Sequence, residues 1–237
     1  MKPGVWLIPE YLARHSYRTT LWILLFASVI VAGQGKLLWR DSFSPNKSAL
    51  TDTGTAPYFI LQPGYQLRLA HGKDTLTITV LNDTKVIDGV KTRVVEERET
   101  KNGQVIEVSR NYFAVDPSTG DAYYFGEDVD IFKNGKIASH EGAWHSGENG
   151  ARFGLFIPGK PKVADRYYQE LAPKVAMDRA EILSIAEKLT VPAGTFNNVV
   201  RTKESSAIEI GSEEKWYAPD VGIIKDADFV LIGIVKP

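Results

Sequence analysis

Three dipeptides, Asp88-Gly89, Asn102-Gly103 and Asn134-Gly135, each sit between runs in which apolar and polar residues alternate. Such pairs accept the positive φ angles of two-residue type I′ turns, whose twist suits antiparallel strands. A series of hairpins is therefore expected. Upstream, Tyr65, Leu67 and Leu69 alternate with Gln66, Arg68 and Ala70, and Leu76, Ile78 and Val80 alternate with Thr75, Thr77 and Thr79. Period two marks half-buried strands. Pro117-Ser118-Thr119-Gly120 supplies a further turn. Met177 to Leu189 fits a helix through Ala176, Ala180 and Leu183 but also alternates over Glu181 to Ile185. Strand is the expectation, because Ala193-Gly194 continues the hairpin pattern. Residues 141–161, with five glycines and two prolines, read as a shaped loop or an edge holding the short apolar piece Phe153 to Ile157. The fold class expected is all-β with little helix.

Leu21 to Ala32 is an uninterrupted apolar run and includes Trp22, Leu24, Leu25 and Phe26. It is shorter than the roughly 20 apolar residues that cross a bilayer. Extended from Thr19 to about Leu38 it reaches that length, with Lys36 able to snorkel and Trp22 and Trp39 near the two faces. Lys2, Arg14 and Arg18 against Glu10 keep the N-terminus inside and send the C-terminal side across. Trp6, Leu7, Ile8, Tyr11 and Leu12 fit a short amphipathic helix on the cytoplasmic surface. Ile30 is a poor partner for Ala32 in an A-x-A-like cleavage site, so retention is expected. The chain then divides into residues 1–39 as cytoplasmic N-terminus and signal-anchor, 40–57 as linker, and 58–237 as a β-domain. The place implied is the inner membrane, single-pass, with the C-terminal domain in the periplasm.

The whole chain has 28 Lys/Arg against 29 Asp/Glu, and three of the basic residues lie in the first 32. The remainder is mildly acidic, which argues against a nucleic-acid partner. Cysteine is absent, so disulfides, thiolate metal sites, a Cys nucleophile and lipid attachment through cysteine are excluded. Nor is there a Gly-rich phosphate loop or a G-x-S-x-G elbow.

Val191-Pro192-Ala193-Gly194-Thr195-Phe196, Arg201-Thr202-Lys203-Glu204 and Trp216 to Lys225, with Glu141-Gly142-Ala143-Trp144 and Tyr167-Tyr168-Gln169-Glu170 before them, resemble a family of functionally uncharacterised exported bacterial β-proteins. More distantly the chain is similar to the lipoprotein-carrier superfamily. That resemblance implies a curved antiparallel sheet, a half-barrel with an apolar concave face. It covers about residues 140–230, and its motifs are mostly turn chemistry, so it transfers no site residue.

His140 and His145 flank Glu141 in an imitation of H-E-x-x-H, but the spacing is five and the glycines oppose a helix. Surface histidines beside a loop Trp are the plainer reading. Glu127, Asp128 and Asp130 before Asn134-Gly135 miss the EF-hand spacing and read as a solvated hairpin rim. Glu141, Glu170, Asp178 and Glu181 lie near Gly- or Pro-bearing turns and would serve as acid and base, or hold Ca²⁺, only if the fold brought two together. Most aromatics read as core. An uncovered apolar face nevertheless needs a partner, and Trp144, Phe153, Phe156, Trp216 and Tyr217 are the interaction candidates.

The function expected from these features is a membrane-tethered, non-catalytic module acting as accessory subunit of a membrane protein complex. Its contacts are membrane lipid through the N-terminal helix and a protein partner, with no cofactor and no metal. The alternative is a carrier for a lipid or other apolar ligand. A metal-dependent hydrolase is the remote third reading.

Overall fold

The computed structural model describes residues 38–237, which form one compact unit. The expected anchor residues Trp22, Leu24, Leu25 and Phe26 lie outside the described residues. Among the described residues no helix is long and apolar enough to cross a membrane.

In chain order the strands are β1 (Gly54–Ala56), β2 (Phe59–Leu61), β3 (Gln66–His71), β4 (Asp74–Ile87), β5 (Val90–Lys101), β6 (Gln104–Val115), β7 (Ala122–Lys133), β8 (Lys136–Ser139), β9 (Trp144–His145), β10 (Arg152–Ile157), β11 (Arg166–Tyr168), β12 (Glu170–Leu171), β13 (Asp178–Val191), β14 (Gly194–Ser206), β15 (Glu213–Ala218), β16 (Gly222–Asp226) and β17 (Phe229–Val235). Among the described residues the one helical piece is a 3-10 turn, Lys47–Ala49. The hairpin dipeptides act as expected: Asp88, Asn102 and Asn134 have φ of 50°, 51° and 53°, each followed by a positive-φ glycine. Met177 to Leu189 falls in β13, a strand, paired along its length with β14.

A single sheet of 15 strands runs β11-β13-β14-β15-β16-β17-β3-β4-β5-β6-β7-β10-β12, with β8 and β9 attached to β7. All its ladders are antiparallel. Its two ends are consecutive chain: β11 pairs with β13, and after Gln169 the same segment pairs as β12 with β10. The Gln169 N–H donates to the Asp178 carbonyl at 2.8 Å, which holds the crossover point to β13. The expected half-barrel is thus a nearly closed barrel, because one short segment satisfies the backbone groups of both edges.

Closure depends on a close approach. A Cβ added at Gly154 in β10 would stand 2.3 Å from the Gln169 carbonyl oxygen and 2.4 Å from its carbon. Only glycine lets β12 lie so near.

Residues 40–57, expected as a linker, pack on the barrel. Arg40 bridges Tyr167, and Thr51 exchanges hydrogen bonds with Val115 at 2.9 Å in each direction. Buried Arg93 clasps this strap through Nε to the Asp52 carbonyl (2.8 Å), Nη2 to the Asp52 carboxylate (2.8 Å) and Nη1 to the Asn82 carbonyl (2.7 Å). The hairpin β1–β2 then puts Phe59 into the barrel, 4.8 Å from the Phe113 ring and 5.2 Å from Phe156. Trp39, expected at a bilayer face, packs instead on the barrel wall, 6.3 Å from the Tyr168 ring with the Arg179 guanidinium 4.6 Å from its centroid.

Gly154→Ala tests the closure. It is expected to cost roughly 1–3 kcal/mol, the range of an overpacked core site, and to lower Tm by several degrees at roughly 2–4 °C per kcal/mol for a domain of this size. Gly233→Ala, at a strand position where the new methyl meets nothing within 4 Å, should leave Tm nearly unchanged. Equal melting of the two variants would contradict the closure.

Candidate functional site

The interior of the barrel holds a partly open cavity of about 240 Å³. Its walls follow from strand alternation in register. On β5 the inward positions are Val95 and Glu97, which stand opposite Asn111 and Ser109 of β6. Asn111 in turn faces Glu127 of β7. Along β6 the inward side chains run Phe113, Asn111, Ser109, Glu107, so the lumen passes from aromatic to acidic within one strand.

The aromatic end is a cluster. Phe113 stacks on Tyr124 at 4.7 Å and meets Phe156 edge-on at 5.0 Å, and Phe156 in turn meets Tyr217 at 6.2 Å. Ile60, Tyr65, Leu67, Ile78 and Val80 complete this wall. The Tyr65 hydroxyl donates to the Val221 carbonyl at 3.0 Å, and the Tyr124 hydroxyl donates to Asn111 at 2.6 Å.

The acidic end gathers side chains from around the barrel. Glu204 and Asp226 have a cation: Lys215 Nζ lies 3.3 Å from the former, 3.4 Å from the latter and 3.1 Å from Glu213. Glu204, only 8% exposed, also accepts from the hydroxyls of Thr202 (3.1 Å) and Tyr217 (3.1 Å) and from Gln169 Nε2 (3.3 Å). Glu97, Glu107, Glu127, Glu170 and Asp178 line the same cavity. Among the described residues none of these five pairs with a Lys, Arg or His.

Enclosure without a counter-ion disfavours the charged form of a carboxyl. Burial pushes Glu97 up to about 7, with Asp226, Glu99 and Glu107 adding to the rise and Lys215 opposing it. Burial likewise pushes Glu127 up to about 8, helped by Glu107, Glu97 and Asp178. Glu170 is raised well above the usual carboxylate range, first by burial and then by the charges of Asp178 and Glu127. The Trp144 indole N–H lies close enough to favour the charge of Glu170, although it closes no hydrogen bond of regular geometry. Glu97 and Glu127 keep some surface, on the side where they line the cavity.

Of the four carboxylates singled out in the sequence, the fold brings two together. Glu170 and Asp178 share the lumen, whereas Glu181 pairs with Arg166 at 2.8 Å and Glu141 lies on the loop after β8. Alternation splits the acidic run after Phe125. Glu127 points inward, and on the opposite face Asp128 takes Lys85 (3.2 Å) and the Tyr112 hydroxyl, while Asp130 takes Arg110 (3.1 Å). His145 Nε2 lies 2.9 Å from Asp128, and His140 Nδ1 lies 3.0 Å from Asp130. The two imidazoles therefore serve different carboxylates. Among the described residues no group of three or more His, Asp or Glu is placed to hold a metal ion.

The aromatic interaction candidates part company. Trp144 is 6% exposed and edge-on to Tyr124 at 5.3 Å, a plug rather than a surface anchor. It is drawn in because β9 lies against Gly126, where a Cβ would stand 2.4 Å from the Trp144 carbonyl oxygen. Phe153 is half-buried and stacks on Phe125 at 4.9 Å. Phe156 and Tyr217 line the lumen. Trp216 lies on the outer face, donating to Glu187 at 3.0 Å with Lys225 4.2 Å from its ring centroid.

Glu97, Glu107, Lys215 and Asp226 carry no motif, and the segments that hold Glu127 and Glu204 point to a hairpin rim and to turns rather than to a lumen. The available signal was the alternation Val95, Glu97, Glu99, which places acids on the face that carries a core valine.

No family model matches the chain, and no curated protein is significantly similar to it. A crystal structure of a candidate lipoprotein from Parabacteroides distasonis matches with a TM-score of 0.38 and 12% identity, over 77% of this chain and 100% of that one. So distant a likeness carries no functional argument.

The lumen makes stability depend on pH with an unusual sign. Glu97 and Glu127 hold protons in the folded state up to about 7 and about 8, whereas their ordinary value is 4.5. Between these limits the unfolded chain binds fewer protons, so stability is complete below the ordinary value and falls as pH rises through the folded values. Tm is expected to be several degrees lower at pH 8 than at pH 5, and Glu127→Gln should flatten the slope. A Tm that rises from pH 5 to pH 8 would contradict this account.

Proposed function

We propose that the chain is an exported, membrane-tethered β-barrel protein whose lumen binds a small, partly apolar ligand without catalysis. The observation that carries this reading is the cavity, with aromatic rings at one end and uncompensated polar groups at the other. Binding sites are typically concave, mostly apolar and furnished with a few convergent polar groups. Export and tethering rest on Leu21 to Ala32 and the basic residues before it.

The size of the cavity refines the carrier alternative. At about 240 Å³ it lies below the roughly 300–1,000 Å³ of drug-sized sites, which favours a small molecule over a two-chain lipid. The accessory-subunit reading loses its best contact, because Trp144 fills the core. The non-catalytic reading is supported by where the acidic groups stand. Glu204 and Asp226 are tied to Lys215 as ion-pair partners.

Native mass spectrometry of the full chain, purified in mild detergent, tests the proposal. The expected result is a small non-covalent adduct that leaves on denaturation and is missing from Ser109→Phe, which puts a ring into the lumen. Bare polypeptide mass for the wild type under gentle conditions would count against it.

A further inference from the structure

The acidic end of the lumen is the more informative part, because several carboxyls turn into it with no cation of the protein beside them. Lys215 is already committed to Glu204, Glu213 and Asp226. Glu170 is 5% exposed, lines the cavity, and has no Lys, Arg or His partner among the described residues, only the Asp178 backbone N–H and the Trp144 indole N–H favouring its charge. A buried polar group left in this state costs free energy that an incoming partner would recover.

Resting on the lumen-binding reading above, we propose that the ligand is a small organic cation: a protonated amine on an apolar or aromatic body. Its ammonium would sit among Glu97, Glu127 and Glu170, and its body would lie against Phe113, Phe156 and Tyr217. A cation beside these carboxyls favours their ionised form, which accepts the several donors of an ammonium, and the faces of Tyr124 and Phe113 attract a cation as well. A metal ion is the poorer fit. Divalent cations need several oxygens converging at about 2–2.6 Å, and no such group is present among the described residues. An anionic ligand would bring like charge into a low-dielectric enclosure. The cavity of about 240 Å³ equals roughly eight water volumes, so a body of about eight to ten non-hydrogen atoms fits.

The test uses the full chain in phosphatidylcholine nanodiscs, with empty discs as blank, titrated with 2-phenylethylamine, 2-phenylethanol and 3-phenylpropanoate. These probes share a ring and differ in charge. The amine is expected to bind at least tenfold more tightly than the alcohol, and the carboxylate most weakly. Glu127→Gln/Glu170→Gln should weaken the amine at least tenfold and leave the alcohol unchanged. Should the double variant fold poorly, Glu97→Gln alone is expected to weaken the amine severalfold. If the alcohol binds as tightly as the amine, the lumen reading stands and the cation assignment falls. If no probe binds although a native adduct is found by mass, the cation assignment again falls alone. If no probe binds and the native mass is bare, both fall together.

Discussion

The structure depends on one short segment that pairs in two directions. Arg166 to Tyr168 adds to the ladder of β13, and Glu170 and Leu171 add to β10, so residues adjacent in sequence satisfy the two edges of a 15-stranded sheet. An open sheet of this width would expose backbone groups along two edges and one apolar face. Closure removes the edges and turns the concave face into an interior. Gly154 permits the approach, and Gln169, the residue at the switch, sends its side chain to Glu204. The closure of the barrel and the polar network of the lumen therefore meet at one residue.

Closure also changes the chemistry of the inward side chains. On an open sheet Glu97 and Glu127 would be ordinary solvated acids. Inside the barrel they face Ser109, Asn111 and one another, with no cation of their own. Strap residues 40–61 complete the enclosure at the aromatic end, where Phe59 enters between Phe113 and Phe156. The clasp holding that strap is Arg93 on Asp52, a largely buried pair that Lys91 joins from the more exposed side at 3.2 Å from the Asp52 carboxylate.

Much of this fold is legible in the chain, because hairpins are local. Asp88-Gly89, Asn102-Gly103 and Asn134-Gly135 announce their turns, and alternation marks β3, β4 and β13 correctly. The strap was not legible. Its Ser, Thr and Pro content resembles a tether, and the contact that orders it joins Asp52 to Arg93 across 41 residues. Trp144 was misread for a related reason: the glycines around it describe a loop, but its depth is set by Gly126 on another strand. The lumen acids were hidden by the usual expectation that polar residues in a strand point outward. Glu170 and Asp178 were visible as isolated carboxylates, and only the closing segment brings them together.

The central claim is that the barrel turns a set of acids into its interior without counter-ions, and their ionisation reports on this directly. Carbon-13 NMR of labelled glutamate carboxyls, followed from pH 3 to pH 9 in the ligand-free protein, measures it residue by residue. The account predicts that Glu127 titrates at about 8 and Glu97 at about 7, far above exposed glutamates such as Glu148. If every glutamate titrates between roughly 4 and 5, where model peptides do, the interior leaves these acids as solvated as surface ones and the account is contradicted.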